Sequence, residues 1–134
     1  MYWPEPLSEV AQAFVRQHAD LAVSDLVEVE LFSALGRRVR GGDVAEESAK
    51  RITALFVTHL EDQRFDRLPV ERAAYLTARA WLSSLQIVAR TLDALHLAVA
   101  ASHDLELATA DAGMARTAAA MGMRVYHVKT ILRN

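Results

Sequence analysis

Apolar residues recur every three or four positions along most of the chain. Short apolar runs interrupt that rhythm and read as buried strands. Leu7, Val10, Ala11, Phe14 and Val15 mark a first helix that Ser8 would cap. Leu21-Ala22-Val23 predicts a strand, and Ser24 the N-cap of a helix through about residue 38. Gly41-Gly42 breaks the chain. Asp43 is expected to cap a long helix to about residue 62, with Ala45, Ala49, Ile52, Phe56 and Leu60 on one face. Phe65-Asp66-Arg67-Leu68, before Pro69, is a weaker strand signal. Val70, Ala73, Ala74, Thr77, Ala80 and Trp81 mark a further helix. Residues 91–102 are helical in spacing and apolar almost all round, which predicts a buried helix. Residues 105–108 read as a strand, Asp111 opens a helix ending near Gly122, and residues 123–128 form a last strand.

Strands that alternate with helices predict an α/β domain with a mainly parallel central sheet flanked by helices. The chain has 134 residues and 52% hydrophobic content, enough for a single domain spanning residues 1–134 with a full core. There is no Cys, which excludes disulfides and thiolate chemistry. Residues 1–6 lack the basic and apolar regions of a signal peptide. The apolar stretch 92–101 is too short to span a bilayer, so a soluble cytoplasmic protein is expected. Seventeen acids against fifteen bases give a net charge of −2, which sets no global preference for nucleic acid.

Three acidic residues stand out. Asp93 falls in the first turn of the apolar helix, Asp111 just after a predicted strand, and Glu30 about two turns into the helix after the first strand. Ligands of open α/β sheets bind beyond the carboxyl ends of the strands. Clustered carboxylates there suit Mg²⁺ or Mn²⁺, whose preference is for hard oxygen ligands. The competing reading is that Asp93 and Asp111 are ordinary helix caps and that Glu30, like Glu28, is a solvated helix residue.

The segments Ser24…Glu30-Leu31-Phe32-Ser33-Ala34-Leu35, Leu92-Asp93-Ala94-Leu95-His96-Leu97-Ala98 and Ala108-Thr109-Ala110-Asp111, followed by Ala118…Gly122…Val125, resemble the PIN domain. More narrowly they resemble the VapC toxins of bacterial toxin–antitoxin pairs, over about residues 4–128. The resemblance implies an Mg²⁺- or Mn²⁺-dependent endoribonuclease that cleaves RNA phosphodiester bonds, often dimeric and silenced by a VapB-like antitoxin. By position, Glu30, Asp93 and Asp111 match three of the family's metal-site acids. Ser24, Thr109 and His96 match polar residues around that site. Ser24 and Thr109 would orient ligands or water. His96 is expected to pack and hydrogen-bond rather than bind metal.

The match departs from the family at its start. Such toxins open with a strand ending in Asp followed by Thr or Ser, and that Asp is the first metal-site acid. Residues 1–6 resemble the segment after that strand, no Asp precedes Asp20, and Glu5 is not assigned to the site. Three readings compete: a gene start further upstream, which is preferred; a degenerate relative that exchanges strands in a dimer; or a makeshift strand from residues 1–6, against which two prolines weigh. The alternative to a nuclease is thus a catalytically impaired PIN-like remnant that binds protein or RNA.

Arg37, Arg38 and Arg40, with Lys50 and Arg51 beyond the glycines, are candidates for an RNA backbone path, or a dipole-complementing helix end. Arg90 and Arg116 flank the acids in sequence and are candidates for phosphate. The five histidines lack zinc-like spacing, and no nucleophilic Ser motif or glycine-rich phosphate loop is present. Trp3, Trp81 and Tyr75 read as core or interface anchors.

Overall fold

The structure, a computed structural model, describes residues 1–4, 18 and 20–128; the helix expected around Leu7–Val15 lies outside them. The order of elements is β1 (Leu21–Ser24), α1 (Asp25–Arg40), α2 (Glu46–Glu61), β2 (Phe65–Leu68), α3 (Arg72–Ser83), α4 (Thr91–Ser102), β3 (Leu107–Thr109), α5 (Ala112–Ala120) and β4 (Val125–His127). β1 pairs in parallel with β2, from Leu21 opposite Phe65 to Ser24 opposite Leu68. β3 pairs in parallel with β4, from Leu107 opposite Val125.

The two strand pairs are joined by the N-terminus. Tyr2 makes parallel bridges to Ala22 on one side and Leu107 on the other. The Tyr2 amide donates to Glu106 O (2.8 Å) and the Ala108 amide to Tyr2 O (2.9 Å). The Trp3 amide donates to Ala22 O (2.9 Å) and the Ala22 amide to Met1 O (2.8 Å). The order across the sheet is therefore β2, β1, Tyr2, β3, β4. The prolines that weigh against a strand do not prevent this pairing, because Pro4 follows the last amide used, that of Trp3. Tyr2 and Trp3 are fully buried.

Helix α1 begins at Ser24, whose hydroxyl accepts from the Val27 amide. The helix buries Val27, Leu31 and Leu35. At its end, the Asp43 and Val44 amides fold back onto Arg38 O, with Gly42 at φ +79 turning the chain. Asp43 is thereby used to close α1. It does not cap α2, whose N-cap is Ala45 with no side-chain bond. Glu28, expected to be solvated, pairs with Arg67 at 2.6 Å and ties α1 to β2.

Helix α4 is the centre of the core: every residue from Ala94 to Ala100 is buried. The alanines let it approach its neighbours closely, and burial of Leu97 alone contributes about 1.5–3 kcal/mol. Its C-terminus closes when the Leu105 amide bonds Ala100 O (2.9 Å). Leu105 thus belongs to the helix cap, and β3 starts at Leu107, two residues later than the apolar pattern predicts. Among the described residues no helix is long and apolar enough to cross a membrane.

Candidate active site

Asp93 and Asp111 face one cleft of about 500 Å³, together with Arg90, Gly113, Arg116 and Thr117. Asp93 is placed by the first turn of α4. Asp111 is placed by the tight junction between β3 and α5. Its amide donates to the buried Thr109 hydroxyl (3.0 Å), and its Oδ1 accepts the Met114 amide (2.9 Å) as the N-cap of α5. Gly113 leaves room beside it: a Cβ there would lie 3.2 Å from Asp111 Oδ1, so the carboxylate would have to give by a few tenths of an ångström. Gly113 was not singled out by sequence spacing, since nothing in the pattern marks a close approach to a side chain.

The Asp93 carboxyl is pushed above its ordinary pKa, first by burial and then by the negative charges of Asp111 and Glu30; His96 and Arg90 oppose the shift. Asp93 therefore shares its electrostatic environment with both other acids. Glu30, one-third exposed, is engaged through Oε1 by His96 Nε2 at 2.5 Å. The buried His96 ring meets the Tyr2 hydroxyl at Nδ1, also at 2.5 Å, and that hydroxyl meets Ser24 Oγ at 2.8 Å. Among the described residues, no three His, Asp or Glu side chains converge closely enough to hold a metal ion between them.

The arginines divide into two groups. Arg90 and Arg116 line the acidic cleft. Arg40 and Lys50 line a separate groove between α1 and α2 with Phe32, Leu35 and Val39, while Arg37 bonds Ser33 Oγ at 3.2 Å. Trp3 is a core residue, Trp81 packs against the core, and Tyr75 is 53% exposed and anchors nothing there.

The PIN domain matches residues 3–120. The chain belongs to the PIN domain family. No curated protein sequence matches it. Among solved structures, this PIN domain is similar to FitAB bound to an IR36 DNA fragment, with 17% identity and a TM-score of 0.65 over 100% of this chain and 99% of that one. It is similar to VapBC2 from Rickettsia felis bound to a promoter DNA fragment, with 12% identity and a TM-score of 0.66 over 96% and 100%. It also resembles VapBC-5 from Mycobacterium tuberculosis, a member of the VapBC family of toxin–antitoxin systems, with 20% identity and a TM-score of 0.56 over 96% and 97%. These likenesses establish the fold.

PIN domains are generally metal-dependent, and the donors here fit a hard divalent cation. Asp93 and Asp111 offer oxygen ligands on one cleft, and a cation there would offset the burial that disfavours the charged Asp93. Mg²⁺ needs only one or two carboxylates when substrate phosphate and water complete its shell.

Proposed function

We propose that this PIN domain is the VapC-like toxin of a type II toxin–antitoxin pair, a metal-dependent endoribonuclease. The observation that carries the reading is the pair of carboxylates Asp93 and Asp111 on one cleft with Arg90 and Arg116. Asp93, Asp111 and Glu30 would hold Mg²⁺ or Mn²⁺. Once bound, the ion activates water and neutralises charge on the phosphate under attack. Arg90 and Arg116 meet the RNA backbone, and Gly113 leaves room beside the Asp111 carboxylate. Ser24, Thr109 and His96 orient the acids. The partner is a VapB-like antitoxin, as the FitAB and VapBC neighbours suggest, and the working form is a cytoplasmic homodimer.

A second reading has its own support. Glu30 is tied to His96, and three acids do not converge among the described residues. A catalytically impaired PIN domain that binds protein or RNA without cutting fits those facts. The deciding experiment is Mn²⁺-dependent cleavage of labelled single-stranded RNA by the 134-residue chain beside Asp93→Asn and Asp111→Asn. Cleavage by the parent alone supports the nuclease. Cleavage unchanged in both variants indicates a contaminant and sinks it. No cleavage by any of the three, with antitoxin binding retained, leaves the non-cutting module.

A further inference from the structure

We infer that Tyr2 is a positioning residue: its hydroxyl holds the His96 ring at Nδ1 and, through that ring, orients the Glu30 carboxylate. This rests on the metal-site reading of Glu30 given above.

The polar groups form one connected chain: Ser24 Oγ, Tyr2 OH, His96 Nδ1, His96 Nε2 and Glu30 Oε1. The residues come from the N-terminal bridge, the cap of α1, the middle of α4 and the body of α1, up to 94 positions apart in sequence. Tyr2 and Ser24 are 0% exposed and His96 is 3% exposed, so water does not substitute for any of these bonds.

Chemistry gives the chain a direction. An ionised Glu30 only accepts, so the proton lies on His96 Nε2. Nδ1 of a neutral ring then accepts, and the Tyr2 hydroxyl must donate to it. That hydroxyl in turn accepts from Ser24, while Ser24 Oγ accepts from the Val27 amide. Burial holds the Tyr2 phenol above its ordinary pKa, so it keeps the proton it donates. Every donor has an acceptor in this arrangement. Without the Tyr2 hydroxyl, Nδ1 becomes a buried acceptor with no partner, and the ring loses one of the two bonds that fix its orientation. Glu30 is then oriented by an imidazole anchored at Nε2 alone. Such supporting bonds around ligands are worth about 10–100-fold in metal affinity.

The test is Tyr2→Phe, which keeps the ring in the core and removes only the hydroxyl. The full chain is labelled with ¹⁵N-histidine. Its His96 tautomer is read by long-range proton–nitrogen correlation, and Mn²⁺ affinity by calorimetry. In the parent, His96 should carry its proton on Nε2 alone. In Tyr2→Phe the proton should stay on Nε2, the Nδ1 signal should move to that of an acceptor without a hydrogen bond, and Mn²⁺ binding should weaken about tenfold. A purely structural hydroxyl would lower the melting temperature and leave the Mn²⁺ affinity unchanged, which overturns the inference. A parent with the proton on Nδ1 also overturns it, and that measurement needs no variant. Should Tyr2→Phe fail to fold, Ser24→Ala, which removes the donor to Tyr2, should shift the His96 signals in the same sense; unmoved signals overturn the inference. If the parent binds no Mn²⁺, the metal-site reading falls, and with it the role given to Tyr2, whatever the tautomer shows.

Discussion

Asp111 Oδ1 accepts the Met114 amide at 2.9 Å, so the carboxylate that faces the cleft is also the cap of α5. Cap and candidate ligand are therefore one group, and two substitutions separate them. Asn caps a helix as well as Asp, whereas Ala removes the cap at a cost of about 1 kcal/mol. Asp111→Asn should leave urea denaturation nearly unchanged while abolishing Mn²⁺-dependent RNA cleavage. Asp111→Ala should lose both. Equal destabilisation by the two substitutions would show that the charge, rather than the cap, supports the fold.

Asp93 gives a pH dependence with a definite sign. Its pKa is raised in the folded chain by burial and by Asp111 and Glu30. Its contribution to stability is then complete below the ordinary carboxyl pKa and is lost as pH rises through the folded value. At neutral pH the ionised group is a cost. Asp93→Asn should melt above the parent at pH 7, with the gap closing as pH falls through the window between the raised value and the ordinary one. The same variant should not cleave RNA. A variant that melts below the parent at pH 7 would show that Asp93 is held by favourable bonds instead.

The N-terminal bridge predicts a large stability effect from Trp3. Trp3 is fully buried and its amide bonds Ala22 O. Trp3→Ala should lower the unfolding free energy by about 3–5 kcal/mol, measured by urea denaturation. A change below 1 kcal/mol, on the scale of an ordinary surface substitution, would mean that β1 and β3 hold together without Met1–Trp3 between them.

Elements with strong local signals were legible in the sequence. The extent of α4 follows from its apolar residues, and the Ser24 cap from its hydroxyl before a helical run. Asp93 and Asp111 reach one cleft because helix starts and strand ends gather at the same edge of the sheet. What could not be read depends on contacts distant in sequence. A single residue, Tyr2, bridges two strands, and a three-residue segment carries no periodicity to announce it. Asp43 has the chemistry of a cap, yet its amide is drawn into the closure of α1, so the next helix starts at Glu46. The pairing of Glu28 with Arg67 spans 39 positions, and the link from Tyr2 to His96 spans 94. No pattern along the chain encodes either.

The arginines offer a test of where RNA lies. Arg90 and Arg116 share the cleft with the acids, whereas Arg40 lies in the groove between α1 and α2. A cation that contacts a phosphate of single-stranded RNA releases counterions, and each such contact contributes about 0.7 to the slope of log affinity against log salt. Binding is measured by fluorescence anisotropy in the Asp111→Asn background, so the RNA stays intact. Arg116→Ala should weaken binding and reduce the slope by about 0.7. Arg90→Ala should do the same, and the double variant should lose about twice that amount because the two contact separate phosphates. Arg40→Ala distinguishes the two proposed paths. An unchanged slope confines the RNA to the acidic cleft. A slope reduced as much as for Arg116→Ala extends the track across the end of α1, where Arg37 and Arg38 stand in the same last turn.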